Sequence, residues 1–181
     1  VSFPASLAQL PRPQLDGADS VEPEFTGKGR PGQTLTVNYD IEGSDVGYRW
    51  HARQAQQPLF ALGHGLSYTR FDTQCDAPAA GSLTVHCTVR NVGERAGAEV
   101  VQLYVTSLAG TATRRLAGFA RVMLAAGESR RVAVDIDARL LARWRDGQWH
   151  IDAGTYLLAS GRSALDLAAP LTLTLPARSW K

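Results

Sequence analysis

A strict alternation of apolar and polar side chains constrains this chain more than any other feature of its sequence. The strand that carries it ends at the turn signal Asn91-Val92-Gly93. A period of two is that of a β-strand with one buried face and one solvated face. The sequence therefore predicts a half-buried strand at 83–90. Its apolar members are Leu83, Val85, Cys87 and Val89, and its polar members are Thr84, His86, Thr88 and Arg90.

The same period returns at regular intervals along the rest of the chain, with turn signals about every 8–12 residues. A helical spacing occurs at Ala138–Trp144, which is too short to form a layer of the fold. The pattern predicts an all-β fold, an antiparallel β-sandwich of about seven strands, and argues against a parallel βαβ architecture. Further strands are expected at Glu99–Val105, Leu116–Leu124, Ser129–Asp137, Gly154–Gly161 and Leu171–Leu175.

The first 68 residues lack this sustained period. Proline and glycine recur through residues 1–33, where they interrupt helices and central strands, and one short strand is expected at Thr34–Tyr39. The chain has 181 residues, whereas a β-sandwich of this kind needs about 100. We therefore divide the chain into a largely irregular N-terminal extension, residues 1–68, and a sandwich domain, residues 69–181.

The charge pattern argues against several classes of partner. The formal net charge is +2, and 19 basic residues are interleaved with 17 acidic ones, whereas nucleic-acid binding concentrates basic residues on one element. No apolar run approaches the roughly 18 residues of a membrane span. The segment 27–32 has the spacing G-x-G-x-x-G, but no strand precedes it, so we interpret it as a solvated loop. We expect no nucleic-acid partner, no membrane partner and no cofactor.

Two cysteines and four histidines are the candidate metal ligands and thiols. Cys75 and Cys87 flank the turn at 76–82, so they could face each other across a hairpin. A disulfide and a pair of buried free thiols are both consistent with this placement. The histidines, His51, His64, His86 and His150, have no spacing typical of metal ligation, so no metal site is predicted.

A set of short motifs, in this order along the chain, resembles the C-terminal part of glycoside hydrolase family 3 enzymes, which include β-glucosidases and β-xylosidases. The motifs cover nearly the whole chain. The first two are similar to the stretch that links the second and third domains of the family, and the others to its fibronectin type III-like domain. They are Val46–Trp50, Pro58–Phe71, Val89–Gly93, Gly97–Val105, Leu116–Phe119, Gly127–Ser129, Gly154–Tyr156 and Gly161–Ser163.

The resemblance implies a non-catalytic role. Residues 1–68 would be the tail of the family's α/β-sandwich domain with its linker, and residues 69–181 its fibronectin type III-like, immunoglobulin-like sandwich. The family's catalytic carboxylates lie upstream of anything present here, so no catalytic residue is carried over. This chain is expected to be inactive alone and to stabilise the catalytic domains of a parent enzyme that cleaves terminal β-D-glucosides or β-xylosides, in the periplasm or outside the cell.

Aromatic residues are the candidates for packing between domains and for contact with sugar. Trp144 and Trp149 are candidate sugar contacts, because pyranose C–H faces pack on indole rings, although core packing is the commoner fate of tryptophan. The acidic loop formed by Asp40, Glu42 and Asp45 is interpreted as solvated or paired with arginine. The candidates for interdomain packing are Tyr48, Trp50, Phe60, His64, Tyr68 and Phe71.

Two alternative functions remain open on the sequence alone. The sandwich could be a carbohydrate- or surface-binding module that uses Trp144, Trp149 or the loop Ser107–Thr113 to bind an oligosaccharide or polysaccharide. It could instead mediate dimerisation of the parent enzyme, and the sequence does not indicate an oligomeric state.

Overall fold

Two antiparallel sheets form the sandwich in the computed structural model, which describes residues 2–12 and 40–181. The glycine motif at 27–32 and the strand expected at Thr34–Tyr39 lie outside the described residues. Their seven strands are β1 Phe71–Cys75, β2 Thr84–Asn91, β3 Gly97–Leu108, β4 Thr111–Leu124, β5 Ser129–Asp135, β8 Gly154–Gly161 and β9 Leu171–Leu175. One sheet has the order β1-β2-β5 and the other β4-β3-β8-β9. The predicted all-β sandwich is confirmed.

The core lies between the two sheets and is built by the alternation seen in the sequence. In β2 the apolar residues Val85, Cys87 and Val89 have no exposed surface, while His86 between them is exposed. Leu103 of β3 and Leu158 of β8 are equally buried in the facing sheet. Burial of a large aliphatic side chain contributes about 1.5–3 kcal/mol, so the inward faces of the strands supply most of the stability of the domain.

A third, small sheet was not predicted. It consists of β6 Arg143–Arg145, β7 Gln148–Ile151 and β10 Arg178–Trp180, in the order β10-β7-β6. The helix α2 runs only over Ala138–Leu141, so Trp144 lies on a strand and not on the expected helix. The Asp137 side chain accepts from the Arg139 N–H and caps the helix start, but pairing of β6 with β7 holds the following residues extended.

The described residues of the N-terminal segment, 2–12 and 40–68, carry little regular structure, as predicted. Within them lie a 3-10 helix, Leu7–Gln9, and one short α-helix, α1 Tyr48–Arg53. The two described stretches meet where Phe3 and Phe60 form an antiparallel backbone bridge, with the Phe3 N–H donating to the Phe60 carbonyl at 2.8 Å.

A fully buried asparagine, Asn91, joins the linker, residues 54–70 between α1 and β1, to the ends of both sheets. Its Oδ1 accepts from the Thr69 hydroxyl at 2.6 Å and from the Gly93 N–H at 3.1 Å. Its Nδ2 donates to the carbonyls of Arg95 at 2.7 Å and Leu124 at 3.2 Å. All four hydrogen bonds that an amide side chain offers are therefore made, which is what a buried amide requires.

The two sheets are in close contact where β4 passes β5. A Cβ placed on Gly118 would lie 2.1 Å from the backbone oxygen of Asp135. No side chain larger than hydrogen fits at this position without moving a strand, so the Leu116–Phe119 motif contains glycine at a packing contact rather than at a turn.

Cys75 and Cys87 are directly opposite each other in the β1–β2 hairpin, and their sulfur atoms are bonded at 2.04 Å. The bond closes a short loop and ties the edge strand β1 to the core strand β2, since Cys87 is fully buried. Of the two arrangements left open by the sequence, the structure has the disulfide.

We expect Asn91→Ala to lower the free energy of unfolding by about 3 kcal/mol, because several buried backbone and side-chain groups lose their partners at once. Urea unfolding followed by circular dichroism measures the change. Thr88→Ala, on the exposed face of the same strand, is the matched control and should cost less than about 0.5 kcal/mol. Equal effects of the two substitutions would contradict the role given to Asn91.

Reduction of the disulfide should lower the free energy of unfolding by about 3 kcal/mol, the chain-entropy value for a loop of this length. The cysteines are 12 residues apart. Unfolding is compared with and without a phosphine reductant. The double variant Cys75→Ser, Cys87→Ser is the control and should be as unstable as the reduced protein and insensitive to the reductant. An unchanged midpoint on reduction would refute the prediction.

Candidate functional site

The middle of strand β3, residues 101–105, is buried on both of its faces. Val101, Leu103 and Val105 point into the sandwich, as the alternation predicts, but Gln102 and Tyr104 between them are buried as well. In a simple two-layer sandwich these two side chains would face water. They are covered because residues 47–64 of the N-terminal segment pack across the outer face of the four-stranded sheet.

A tyrosine pair makes the main contact of this covering segment. The Tyr48 ring, at the start of α1, packs edge-on against the Tyr104 ring, with the centroids 6.2 Å apart. The Leu116 N–H donates to the Tyr48 hydroxyl oxygen at 2.9 Å, so the helix is attached to β4 as well as to β3. The Tyr104 hydroxyl in turn donates to Gln102 Oε1 at 2.7 Å. Burial raises the pKa of Tyr104 to about 12, so this hydroxyl remains a donor at all physiological pH values.

A second contact lies around Gly63. Gln102 Nε2 donates to the Arg162 carbonyl at 2.8 Å, and its amide lies so close to Gly63 that a Cβ there would be 2.1 Å from Oε1. The Ala164 N–H donates to the Leu62 carbonyl at 2.8 Å. Gly63 has a φ of +83°, a conformation that favours glycine. Leu62 and Gly63 are therefore held against the Gln102 side chain of β3 and against the loop that follows β8.

Charged groups complete the attachment at the α1 side. Asp45 forms ion pairs with Arg49 at 2.7 Å and Arg53 at 3.3 Å, which fold the acidic loop onto the helix. Arg115 of β4 donates to the Leu140 carbonyl at 3.3 Å. Burial lowers the pKa of the Arg115 guanidinium, and the nearby Arg49 charge lowers it further. These pairs are partly exposed, so they position the loop more than they stabilise it.

Apolar side chains remain exposed within the covering segment and directly after it in sequence. Leu66 is 96% exposed and Tyr68 is 93% exposed after the segment, and Leu59 and Phe60 are exposed within it. The outer sheet face continues past the covered residues, because Gln102 pairs with the exposed residue Phe119. Its exposed apolar residues are three. They are Val100, Phe119 and Met123.

The six residues expected at a domain interface fall into three groups. Tyr48 and Phe71 pack within the chain, Tyr48 on the outer sheet face and Phe71 against the sandwich core. Tyr68 is almost fully exposed. The other three lie near residues 3–9 of the N-terminal segment: Trp50 donates to the Gln9 carbonyl, Phe60 packs edge-on against Phe3, and His64 packs against Phe60. Contact of any of them with another domain stays a prediction.

The acidic side chains near α1 and β5 have structural partners. Glu42 Oε1 accepts from the Gly47 N–H at 3.2 Å, and Asp135 accepts from the Thr84 hydroxyl at 2.7 Å. Within residues 2–12 and 40–181, no group of three or more His, Cys, Asp or Glu side chains could hold a metal ion. In the same described residues, no helix is long and apolar enough to cross a membrane.

Comparison with known proteins identifies the chain. Residues 99–164 match the fibronectin type III-like domain. The chain is 35% identical to a structure described as a GH3 β-glucosidase from Bifidobacterium adolescentis, with a TM-score of 0.67 over 75% of this chain and 21% of the other. The chain matches the fibronectin type III-like part of glycoside hydrolase family 3 enzymes. Like the structure, the curated relatives extend far beyond it, and the chain spans only about a fifth of their length.

Two of the curated relatives are named for different activities. Thermostable beta-glucosidase B of Acetivibrio thermocellus is 37% identical over 148 residues, which are 76% of this chain and 20% of the relative. An exo-alpha-(1->6)-L-arabinopyranosidase of Bifidobacterium breve is 36% identical over 153 residues, which are 80% of this chain and 20% of the relative. The part of family 3 that this chain represents is therefore shared by enzymes with different substrates.

Sequence reasoning missed Gln102 and Tyr104, the two residues that receive the covering segment. Both occupy the polar positions of the β3 alternation, so the period assigned them to solvent. The sequence carried one signal for this contact. Tyr104 stands between Leu103 and Val105, and a tyrosine at a position expected to face solvent often packs its ring and bonds its hydroxyl.

We expect Tyr48→Phe to loosen the covering segment, because the Leu116 N–H loses its acceptor at a partly buried position, at a cost of about 1 kcal/mol. Amide hydrogen exchange of α1 and residue 116 measures the effect, together with proteolysis between residues 54 and 69. Tyr68→Phe removes the same hydroxyl from an exposed tyrosine and is the control. Equal protection of α1 in both variants would disprove the prediction.

Proposed function

We propose that this chain is the non-catalytic C-terminal structural part of a β-glucosidase-type enzyme, and that it packs on and stabilises the catalytic domains. The observation that carries the proposal is the apolar surface beside the covering segment, where Leu66 and Tyr68 are almost fully exposed. Contiguous apolar residues of this kind mark interaction surfaces in soluble proteins. This chain matches only about a fifth of the length of its relatives, and the rest of such an enzyme would supply the partner for this surface.

The covering segment explains how the packing would be transmitted. Residues 47–64 are fastened to the outer sheet face through Tyr48, Gln102 and Gly63. A partner that packs on Leu66, Tyr68 and Phe60 would therefore bear on a segment that is already rigidly attached to the sandwich. The sandwich would thereby stabilise the end of the preceding α/β domain.

The chemistry of the parent enzyme belongs to the parts outside this chain. We propose that it hydrolyses terminal β-D-glucosides or β-xylosides by a retaining mechanism, which needs two carboxylates about 5–5.5 Å apart on either side of the bond that is cleaved. Two acidic residues lie in the loop before α1, and both have partners. Glu42 accepts a hydrogen bond from the Gly47 N–H, and Asp45 forms ion pairs with arginines. We accordingly expect the chain to have no glycosidase activity and to need no cofactor.

We further propose that the parent enzyme works in the periplasm or outside the cell. The Cys75–Cys87 disulfide supports this location, because structural disulfides persist mainly in oxidising compartments. The buried position of Cys87 would protect the bond once the sandwich has folded.

Aryl β-glucosides and aryl β-xylosides test the non-catalytic part of the proposal. The purified 181-residue chain should give no turnover above the blank. Steady turnover that co-purifies with the chain would overturn the proposal.

A chimaera tests the packing part. This chain replaces the matched stretch of the Acetivibrio enzyme, and Leu66→Asp with Tyr68→Asp should lower the melting temperature of its catalytic part by about 5 °C or more. The same pair in the isolated chain should leave its own unfolding unchanged, because both side chains are exposed there. His86→Asp, on the exposed face of β2, is the control. Unchanged stability of the chimaera with the Asp pair would refute packing at this surface.

A further inference from the structure

Three tryptophans occupy one row across the small sheet. Trp149 of β7 is the direct partner of Trp144 on β6 and of Trp180 on β10. Because directly opposite residues of antiparallel strands share a face, the three indoles lie on the same side of this sheet. The row has an inner and an outer end: Trp149 and Trp180 pack against the sandwich core, whereas Trp144 on the edge strand is 56% exposed.

The exposed indole is held in place from one side. The Trp144 and Trp149 ring centroids are 5.2 Å apart, with the ring planes inclined at 69°, which is an edge-to-face contact. Trp149 is fixed in turn by the core. Asp146 and Gly147 link β6 to β7 in a two-residue turn, and both have a positive φ, as the tight hairpin turn requires. Trp144 therefore presents its ring on a short, constrained hairpin, which lowers the entropy lost when a ligand binds.

The surroundings of Trp144 are polar and carry charges of both signs. Residues 143–152 contain two arginines and two aspartates, and Arg178 of β10 adds a positive charge to the same sheet. Arg145 pairs with Asp152 at 2.6 Å, and both side chains are about half exposed. The positive charges are few and one of them is paired, so the site lacks the concentrated basic patch that binds phosphate-bearing ligands such as nucleic acid. A neutral ligand that combines an apolar face with many hydroxyl groups matches both the ring and the polar groups beside it.

A β-linked glucan chain has these properties. In β-linked glucose the ring hydroxyls and the glycosidic oxygen are all equatorial, so each pyranose presents a flat face of C–H bonds bordered by hydroxyls, whereas the axial glycosidic oxygen of α-linked glucose projects from one face. We propose that Trp144 is a stacking platform for one pyranose ring of a β-glucan, with Trp149 as the residue that positions it. A protein partner fits less well, because Trp144 is the one large apolar residue exposed in this sheet, all of whose residues the structure describes, and its neighbours on β6 are arginines.

This site is separate from the proposed packing surface. The Trp144 side chain is on the small sheet, while Leu66 and Tyr68 belong to the linker before β1. Binding at Trp144 would hold a parent enzyme close to polymeric material without taking part in bond cleavage. The inference therefore does not depend on the packing role, and each can fail alone.

Retention on insoluble polymers tests the proposal. The full chain is mixed with insoluble β-1,3-glucan, with microcrystalline cellulose and with granular starch as the α-linked control, and the unbound protein is measured. We expect retention on at least one β-glucan and not on starch. Trp144→Ala should weaken the association about tenfold, the usual worth of a good aromatic contact, and Trp144→Tyr should restore most of it. Retention should change little between about 50 and 500 mM salt, because no ion pair is involved.

Phe119→Ala is the matched control, since it removes another exposed aromatic ring from a different sheet. It should leave retention unchanged, and the melting temperatures of all variants establish that they are folded. The proposal is overturned by any of four results: no retention on either β-glucan, equal retention on starch, undiminished retention of the folded Trp144→Ala variant, or equal losses in Trp144→Ala and Phe119→Ala.

Discussion

The buried side chain of Asn91 is the constraint on which the rest of the structure depends. Its amide joins the linker at Thr69, the β2–β3 turn at Gly93 and Arg95, and the end of β4 at Leu124. A buried amide is stable only when every bond is made, so these segments must be in place together. Thr69 is thereby fixed at the end of the sandwich. The residues that precede it reach this point from the outer face of the four-stranded sheet.

The covering segment changes what the sandwich is. Two sheets alone would leave Gln102 and Tyr104 facing water, but both are buried under residues 47–64. The outer layer contributes the Tyr48 ring and backbone groups around Gly63, and it receives hydrogen bonds from Leu116 and Ala164. Around β3, the described part of the chain thus has three layers, which are the two sheets and the covering segment. A cut at the predicted boundary of residues 68 and 69 would leave an amphipathic strand with one bare face.

The sequence predicted the parts of the fold that follow from a single period. The alternations in β2, β5 and β9 gave the correct buried faces, because each of these strands has one face in the core. It failed where a strand meets two layers, as at Tyr104, because period two cannot distinguish solvent from a covering segment. It also failed at Trp144, where the helical spacing of Leu140, Leu141 and Trp144 was overridden by the strand pairing of β6 with β7. The exposed surface around Leu66 could be named as aromatic and apolar, but its exposure depends on tertiary packing.

The attachment of Tyr48 to Leu116 spans 68 residues of sequence, and this distance has a consequence for synthesis. A ribosome makes the covering segment well before β3 and β4, so residues 47–64 have no surface to pack on when they emerge. Contacts of such long sequence separation form late and slowly. During synthesis, residues 47–64 would therefore stay unpacked, with apolar side chains exposed, until the sandwich that follows them is completed. The order of translation would then make the sandwich the step that closes folding, and a truncated chain would retain an exposed, aggregation-prone end.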